Sequence, residues 1–181
     1  MADQMKTSTV ERALRRLGEV LDYHTEVEVV LVGGAAGMVS GVLPAARTST
    51  DCDVMVYKPP DALSAVELAA ARVAEELELA ENWLNSDVQL RLDALPDGWE
   101  SRKIWVATHG KLRISVVSRP DLVAMKVLAS RPQDLDDLRD MRVRQDEVEF
   151  VRSYLQSLSK KGTRQTQIDD AYDVLASLEV H

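Results

Sequence analysis

Two aspartates two residues apart, Asp51 and Asp53, stand at the start of an apolar, β-branched run at 52–57. Side chains at alternate positions of a strand share a face, so we expect the two carboxylates to lie side by side while Cys52 faces away. Neighbouring carboxylates repel each other unless positive charge lies between them, and Mg²⁺ (or Mn²⁺) supplies that charge and prefers oxygen ligands. The pair therefore predicts a divalent metal site, although such a pair alone also fits a solvated or capping position.

Two glycines, Gly33 and Gly34, end the β-branched run VEVVLV at 27–32 and precede a predicted short helix at 35–43. The run favours a buried strand, and the glycines favour a tight turn. Such glycines let the backbone approach a phosphate, and the following helix N-terminus presents N–H groups and positive potential. A Gly-Gly pair is by itself often only a turn. Followed by a carboxylate pair that suits a metal, it predicts one site for a nucleotide and its cation.

Lys126 lies in the middle of a predicted helix at 119–130 that is apolar nearly all round, so the helix is expected to be buried. Ser118 fits the N-cap of this helix. A buried ammonium group is costly without an anion, and the candidates are Asp51, Asp53 and a nucleotide phosphate. The alternative is that the long side chain of Lys126 reaches solvent.

Pro132 ends this helix and begins the next, which carries two acids three residues apart, Asp134 and Asp137. That spacing places both acids on one helix face. Acids in a first helical turn also interact favourably with the helix dipole, which is the simpler explanation. The neighbouring Arg131 is able to pair with one of these acids or to hold a phosphate with its planar guanidinium group.

The hydrophobic pattern predicts the elements that position these residues. Helical periodicity predicts helices at 10–23 and 61–81, and a hairpin is predicted at 104–117. Residues 82–102 favour a loop with short elements. After Ser118 the pattern is helical only, at 119–130, 132–142, 146–160 and 165–179. We therefore predict an α+β fold, with a small mixed α/β core at 1–118 and a C-terminal helical subdomain at 119–181.

The composition narrows the classes of function. The chain has 181 residues, of which 45% are apolar and 29% charged, as in globular proteins. Acids outnumber bases by 30 to 22, and the net charge of −8 argues against binding duplex DNA through a general basic surface. One cysteine forms no internal disulfide, and the sequence lacks a run of about 20 apolar residues for a membrane span. Since residues 1–10 also lack the apolar run of a signal peptide, we expect a cytoplasmic protein.

Two motifs in the same order resemble those of the polymerase-β-like nucleotidyltransferase superfamily. The first is G-G-x-A followed by R-x-[ST]-x-D-x-D, from Gly33 to Asp53, and the second is K-x-L-A-x-R-x-x-D-x-x-D, from Lys126 to Asp137. Within the superfamily the chain is similar to small bacterial nucleotidyltransferases related to the AbiEii toxins of type IV toxin–antitoxin systems. The resemblance covers roughly residues 25–140 and implies a minimal nucleotidyltransferase fold, a small mixed sheet flanked by helices.

The resemblance also implies roles for individual residues. It implies that Asp51, Asp53 and Lys126 are catalytic and that the two aspartates are the metal ligands. The nucleotide-binding residues implied are Gly33, Gly34, Arg47, Ser49, Arg131, Asp134 and Asp137. For Asp134 and Asp137 the resemblance alternatively implies that they position Lys126 or Arg131. The implied partners are a nucleoside triphosphate, an acceptor such as a tRNA 3′ end or a protein, and a cognate antitoxin.

One part of a polymerase-type site is missing from the sequence. Members of the superfamily resemble one another in a third carboxylate on a later strand, but the expected strand here, KLRISVVS at 111–118, contains no acid. Asp87, Asp93 and His109 are the candidate substitutes. Three hypotheses follow: metal-dependent transfer of a nucleoside monophosphate, a catalytically degenerate nucleotide-binding or antitoxin-like regulatory protein, or a plain α+β domain whose aspartate pair is structural.

Overall fold

The computed structural model describes residues 4–87 and 95–178. These residues form two compact units, one made of 4–87 with 102–117 and the other of 95–101 with 118–178. The elements of the first unit, in chain order, are β1 (Met5–Lys6), α1 (Thr7–Val20), β2 (Val27–Leu31), α2 (Gly33–Val39), β3 (Thr48–Ser49), β4 (Cys52–Lys58), a 3₁₀ turn (Pro60–Ala62), α3 (Leu63–Leu77) and β5 (Leu84–Asn85). The chain then forms the short helix α4 (Trp99–Arg102), of which all but Arg102 belongs to the second unit, and returns to the first unit with the hairpin strands β6 (Ile104–His109) and β7 (Leu112–Val116).

Five strands of the first unit form one mixed sheet in the order β5-β4-β2-β7-β6. The central strand β2 is antiparallel to β4 and parallel to β7, so the end of β2 lies beside the start of β4. β6 is antiparallel to β7, as the predicted hairpin requires, and β5 is parallel to β4. β1 and β3 form a two-stranded antiparallel sheet. This mixed sheet, its helices and the helical C-terminal portion confirm the predicted α+β fold class.

The core of this unit is aliphatic around β2, which is buried along its whole length. The apolar stripe of α1 is at most 2% exposed at Val10, Leu14 and Leu17, and α1 packs against α3. Trp83, just before β5, is fully buried, and its Nε1 donates to the carbonyl oxygen of Ala70 in α3 (3.0 Å). Burial of large apolar side chains stabilises a fold by about 1.5–3 kcal/mol each, so these contacts hold the sheet in place.

One acid on the central strand, Glu28, is buried with its charge balanced. Its carboxylate accepts hydrogen bonds from Lys103 and from Ser115 Oγ (2.8 Å), and Arg113 Nε lies 3.8 Å away. Burial acts to raise the pKa of Glu28, but these hydrogen bonds and positive charges outweigh it, so the pKa lies below its ordinary value. The carboxylate therefore stays ionised and links β2 to β7.

The second unit contains the four helices predicted after Ser118: α5 (Arg119–Ala129), α6 (Pro132–Met141), α7 (Gln145–Lys160) and α8 (Gln165–Ser177). Ser118 is the N-cap of α5, as predicted, and its side chain accepts from the N–H of Asp121 (3.4 Å). α5 packs against α6, α7 and α8. These partners bury α5 from several sides, which is why its sequence is apolar nearly all round.

The long elements lie close to their predicted positions, whereas the two-residue strands β1 and β3 were not predicted. A strand of two residues is too short to show a periodic pattern in the sequence, and it forms only when a partner strand is in place. β5 and α4 fall within 82–102, where short elements are expected, and residues 88–94 lie outside the described part of the chain. Among the described residues, no helix is long and apolar enough to cross a bilayer.

Candidate active site

The two aspartates of the predicted metal site lie at the start of β4. Asp53 is the second residue of the strand, Asp51 immediately precedes it, and both are half-buried. Cys52 between them is fully buried, as the predicted alternation requires. Burial, and then the charges of Asp53 and Asp51, raise the pKa of the Cys52 thiol. The thiol therefore stays protonated, and the two carboxylates carry the negative charge at this end of the strand.

The glycine turn contacts one of these carboxylates. Val32 N–H donates to the carbonyl oxygen of Asp53 (3.0 Å), and α2 begins at the next residue, Gly33. Gly33 has φ of +61°, and a Cβ at this position would lie 2.8 Å from Asp53 Oδ2. The left-handed backbone and the close approach both require glycine here. The structure thus places the turn directly against Asp53.

Arg47 and Ser49 lie against the second glycine. A Cβ at Gly34 would lie 3.3 Å from Arg47 Nη2 and 3.3 Å from Ser49 Oγ. Ser49 belongs to β3, where it pairs with Met5 of β1. A guanidinium group and a hydroxyl group, both hydrogen-bond donors suited to phosphate oxygens, therefore lie beside the backbone of the turn.

Asn85 belongs to this region, although no motif in the sequence marks it. It pairs in register with Asp53, and its Nδ2 donates to Asp53 Oδ1 (2.9 Å). Its Oδ1 accepts from the backbone N–H of Asp87 (3.1 Å). The signal in the sequence is a polar run after Leu84, in a segment expected to be largely loop. This run indicates a site residue only once β5 is known to pair with β4.

The predicted site residues of the helical unit form a buried ion-pair cluster. Lys126 is 3% exposed, and its Nζ lies 2.5 Å from Asp137 Oδ2 and 3.2 Å from Asp134 Oδ1. Both acids are themselves buried. Arg131 Nε lies 2.7 Å from Asp134 Oδ2, while the Arg131 side chain is 68% exposed. Asp134 therefore links a buried cation to an exposed one.

This cluster corrects the expectation for Lys126. The residues alone suggested Asp51, Asp53 or a phosphate as the anion, but the charge of the ammonium group is balanced by Asp134 and Asp137, which agrees with the role that the resemblance implies for these two acids. The alternative that Lys126 reaches solvent is wrong as well, because the side chain is buried. The reason is that α6 packs back against α5 after the turn between them. A catalytic role for Lys126 stays a prediction.

The candidates for a third acid or base lie in different places. Asp93 is outside the described residues, and Asp87 is exposed two residues after β5. His109 pairs with Leu112, which itself pairs with Val27 at the start of β2. The glycine turn follows the other end of β2, about 16 Å away along the strand. His109 is therefore too far from Asp53 to act as the base of this site.

The residues at the start of β4 fit a single divalent cation. In the described ranges, no group of three or more His, Cys, Asp and Glu side chains is arranged to hold a metal. Asp51 and Asp53 nevertheless supply the hard oxygen donors that Mg²⁺ and Mn²⁺ prefer, and Mg²⁺ commonly uses one or two carboxylates with substrate phosphates and water. Because Gly33 has no side chain, the space next to Asp53 Oδ2 is not occupied by a Cβ of this residue.

A glycine turn against an aspartate pair, on a mixed sheet followed by helices, is the arrangement expected of a nucleotidyltransferase. The chain belongs to the family described as "Nucleotidyltransferase of unknown function (DUF6036)", whose model matches residues 9–174. That match includes every predicted site residue in both units. Comparison with curated proteins gives no match. The nucleotidyltransferase part of the predicted resemblance is thereby confirmed, and the relationship to AbiEii toxins stays a prediction.

Proposed function

We propose that this nucleotidyltransferase is metal-dependent and transfers a nucleoside monophosphate from a nucleoside triphosphate to a hydroxyl acceptor. Asp51 and Asp53 hold Mg²⁺ (or Mn²⁺) in this proposal. The observation that carries it is the contact between Gly33 and Asp53, in which a backbone turn without a side chain lies against one of two neighbouring carboxylates. Family membership supports the class of reaction, and this contact supports its location.

The phosphates of the nucleotide bind at the turn in this proposal. The backbone of Gly33 and Gly34 allows close approach, and the neighbouring Arg47 and Ser49 supply donors. The guanidinium group also adds positive charge next to the triphosphate. Positioning and electrostatic stabilisation account for most of the catalysis of phosphoryl transfer, so these groups are of the kind the reaction needs.

The proposed reaction is an in-line displacement at the α-phosphorus. The acceptor oxygen forms a bond to the α-phosphorus, the bond from that phosphorus to its bridging oxygen breaks, and pyrophosphate leaves while the hydroxyl proton passes to solvent. When bound, a divalent cation supplies the positive charge that lets carboxylates and triphosphate approach each other. Asp51 and Asp53 provide the negative oxygens that bind it.

Arg131 is the residue of the helical unit proposed to bind a nucleotide phosphate. Its guanidinium group is largely exposed yet anchored to the buried Asp134. Lys126 and Asp137 hold Asp134 in place in turn, so they fix the carboxylate to which Arg131 is anchored. An anchored guanidinium group loses less freedom when it binds a phosphate than a free one does.

The acceptor is proposed from the resemblance to AbiEii-type proteins. It is a tRNA 3′ end or a protein hydroxyl, and the chain is then the toxin-like component of a pair with a cognate antitoxin. Growth arrest on expression of the chain, relieved by co-expression of a neighbouring gene product, supports this part of the proposal. Expression without an effect on growth counts against it.

The test of the reaction is transfer of label from each of the four α-³²P nucleoside triphosphates to total cellular RNA and protein in the presence of Mg²⁺. We expect one acceptor class to be labelled, and Asp53→Asn to reduce the rate at least about 100-fold. Ser86→Ala removes an exposed hydrogen bond to Glu67 near β5 and is the matched control, which keeps the wild-type rate. Undiminished transfer by Asp53→Asn contradicts the proposal for this residue.

A second candidate function is nucleotide binding without turnover, as in a degenerate or antitoxin-like regulatory protein. The observation that favours it is the aspartate pair without a third metal-ligating acid among the described residues. Mg²⁺-dependent binding of a nucleotide with no pyrophosphate release, across RNA and protein acceptors, would establish this alternative over the transferase.

A further inference from the structure

We infer that Asn85 is a positioning residue for Asp53, a neutral amide on the neighbouring strand that fixes the direction of a metal-binding carboxylate. The inference rests on the proposed function, because it assigns Asn85 a part in the same site. Asn85 belongs to neither of the motifs found in the sequence. Its importance follows from what its two amide atoms contact.

The backbone brings the amide to the level of the carboxylate. β5 is parallel to β4, with Asp53 paired to Asn85, and Cys52 N–H donates to the carbonyl oxygen of Trp83 (2.6 Å) just before the strand. β5 has only two residues, Leu84 and Asn85. This short strand therefore places one polar side chain beside the site.

Both ends of the amide are bonded, which fixes its orientation. Asn85 Oδ1 accepts from the N–H of Asp87 (3.1 Å), and Nδ2 donates to Asp53 Oδ1 (2.9 Å). Because a backbone N–H only donates and a carboxylate only accepts, rotating the amide by 180° would break both bonds. The two oxygens of Asp53 are thereby distinguished, with Oδ1 directed to Asn85 and Oδ2 directed to Gly33.

The neutrality of Asn85 also sets the charge of the site. A carboxylate at this position would place a third negative charge about 3 Å from Asp53, where like charges strongly oppose ionisation. The amide instead donates to the charged form, so that among the described residues the site has two carboxylates, Asp51 and Asp53. Such a site binds a free divalent cation weakly, so the cation is expected to enter together with the triphosphate, whose oxygens complete its ligands.

The variant Asn85→Asp distinguishes the two contacts of Asn85, the hydrogen bond to Asp53 and the hydrogen bond from the N–H of Asp87. Aspartate keeps an oxygen for the N–H of Asp87 but replaces the donor to Asp53 by an oxygen of a third carboxylate. With MnCl₂ alone as the probe, followed by electron paramagnetic resonance of free Mn²⁺, we expect this variant to bind Mn²⁺ about tenfold more tightly than the wild type. We also expect it to melt at a lower temperature in EDTA and to regain stability when Mn²⁺ is added.

Asn85→Ala removes the donor without adding charge. We expect it to bind Mn²⁺ with α,β-methylene-ATP about 10–100-fold more weakly, since loss of an outer-shell partner has an effect of that size. Ser86→Ala is the control for both measurements and keeps wild-type affinity. Tighter binding of Mn²⁺ by Asn85→Asp, together with weaker binding of Mn²⁺ and α,β-methylene-ATP by Asn85→Ala, supports positioning. If Asn85 only stabilised the fold, both substitutions would lower the stability without changing these two affinities in opposite directions.

The wild-type protein gives an independent measurement. The chain contains two asparagines, Asn82 and Asn85, so substoichiometric Mn²⁺ should broaden the side-chain amide signals of Asn85 more than those of Asn82. Wild-type affinities in both Asn85 variants, or equal broadening of the two amides, overturns the inference even if Asp53→Asn abolishes Mn²⁺ binding. If Asp53→Asn instead binds Mn²⁺ like the wild type, the proposed metal site itself is wrong.

Discussion

At Gly33, two constraints act on one residue: a backbone φ of +61° and a carboxylate oxygen where a side chain would begin. Gly41 shares only the first, since it has φ of +73° and no described atom lies within 4 Å of its Cβ position. Gly33→Ala and Gly41→Ala should each lose about 1–2 kcal/mol of stability from left-handed strain, measured by urea denaturation. Only Gly33→Ala should also displace Asp53.

The two alanine variants therefore differ in metal–nucleotide binding. We expect Gly33→Ala to bind the Mg²⁺ complex of a nucleoside triphosphate at least about tenfold more weakly by calorimetry. Gly41→Ala should match the wild type once the measurement is made well below both melting temperatures. Equal affinities in the two variants would show that the turn does not position the carboxylate.

The role of a residue could be predicted from the sequence where the pattern that marks it lies within a few neighbouring residues. Gly33 and Asp53 stand in recognisable patterns of type and spacing. Asn85 donates to a residue 32 positions away, and Lys126 pairs with acids 8 and 11 positions away. Such partners depend on how elements pack, and a single sequence does not determine which of several acids a buried lysine meets.

At the scale of elements, the buried ion pairs of Lys126 join α5 to α6. Lys126→Met would leave Asp134 and Asp137 buried without their cation, and breaking a buried pair in this way costs about 3–5 kcal/mol. The control on α6 is Arg139→Met, because the Arg139–Asp136 pair is 70% and 72% exposed and is worth at most about 1 kcal/mol. Urea denaturation compares them, and a small loss for both contradicts a central role of the cluster.

Element prediction succeeded where length gave a periodic signal. β2 carries a five-residue β-branched run, and α1 and the four C-terminal helices each carry at least ten residues of helical periodicity. β3 and β5 carry two residues each, and hydrogen bonds to β1 and β4 create them. These short strands hold Ser49 and Asn85, so part of the site lies on elements that sequence periodicity does not reveal.

For the whole molecule, fold class was predictable from the order of strands and helices, and the family match spans both units. The net charge of −8 adds a further expectation. A nucleoside triphosphate is itself a multiple anion, and the site proposed for it at the start of β4 contains two carboxylates. Electrostatic repulsion opposes that encounter unless a divalent cation is present. Nucleotide binding by this protein should therefore depend strongly on the cation.

The measurement that tests the central claim most directly is calorimetric titration of the full chain with each of the four nucleoside triphosphates at constant ionic strength. It is made with Mg²⁺, with EDTA, and with Asp53→Asn in Mg²⁺. We predict that at least one triphosphate binds in Mg²⁺ and that its affinity falls at least about 100-fold both in EDTA and in Asp53→Asn. Binding of equal strength in EDTA, or in Asp53→Asn with Mg²⁺, would contradict a metal–nucleotide site at Asp51 and Asp53.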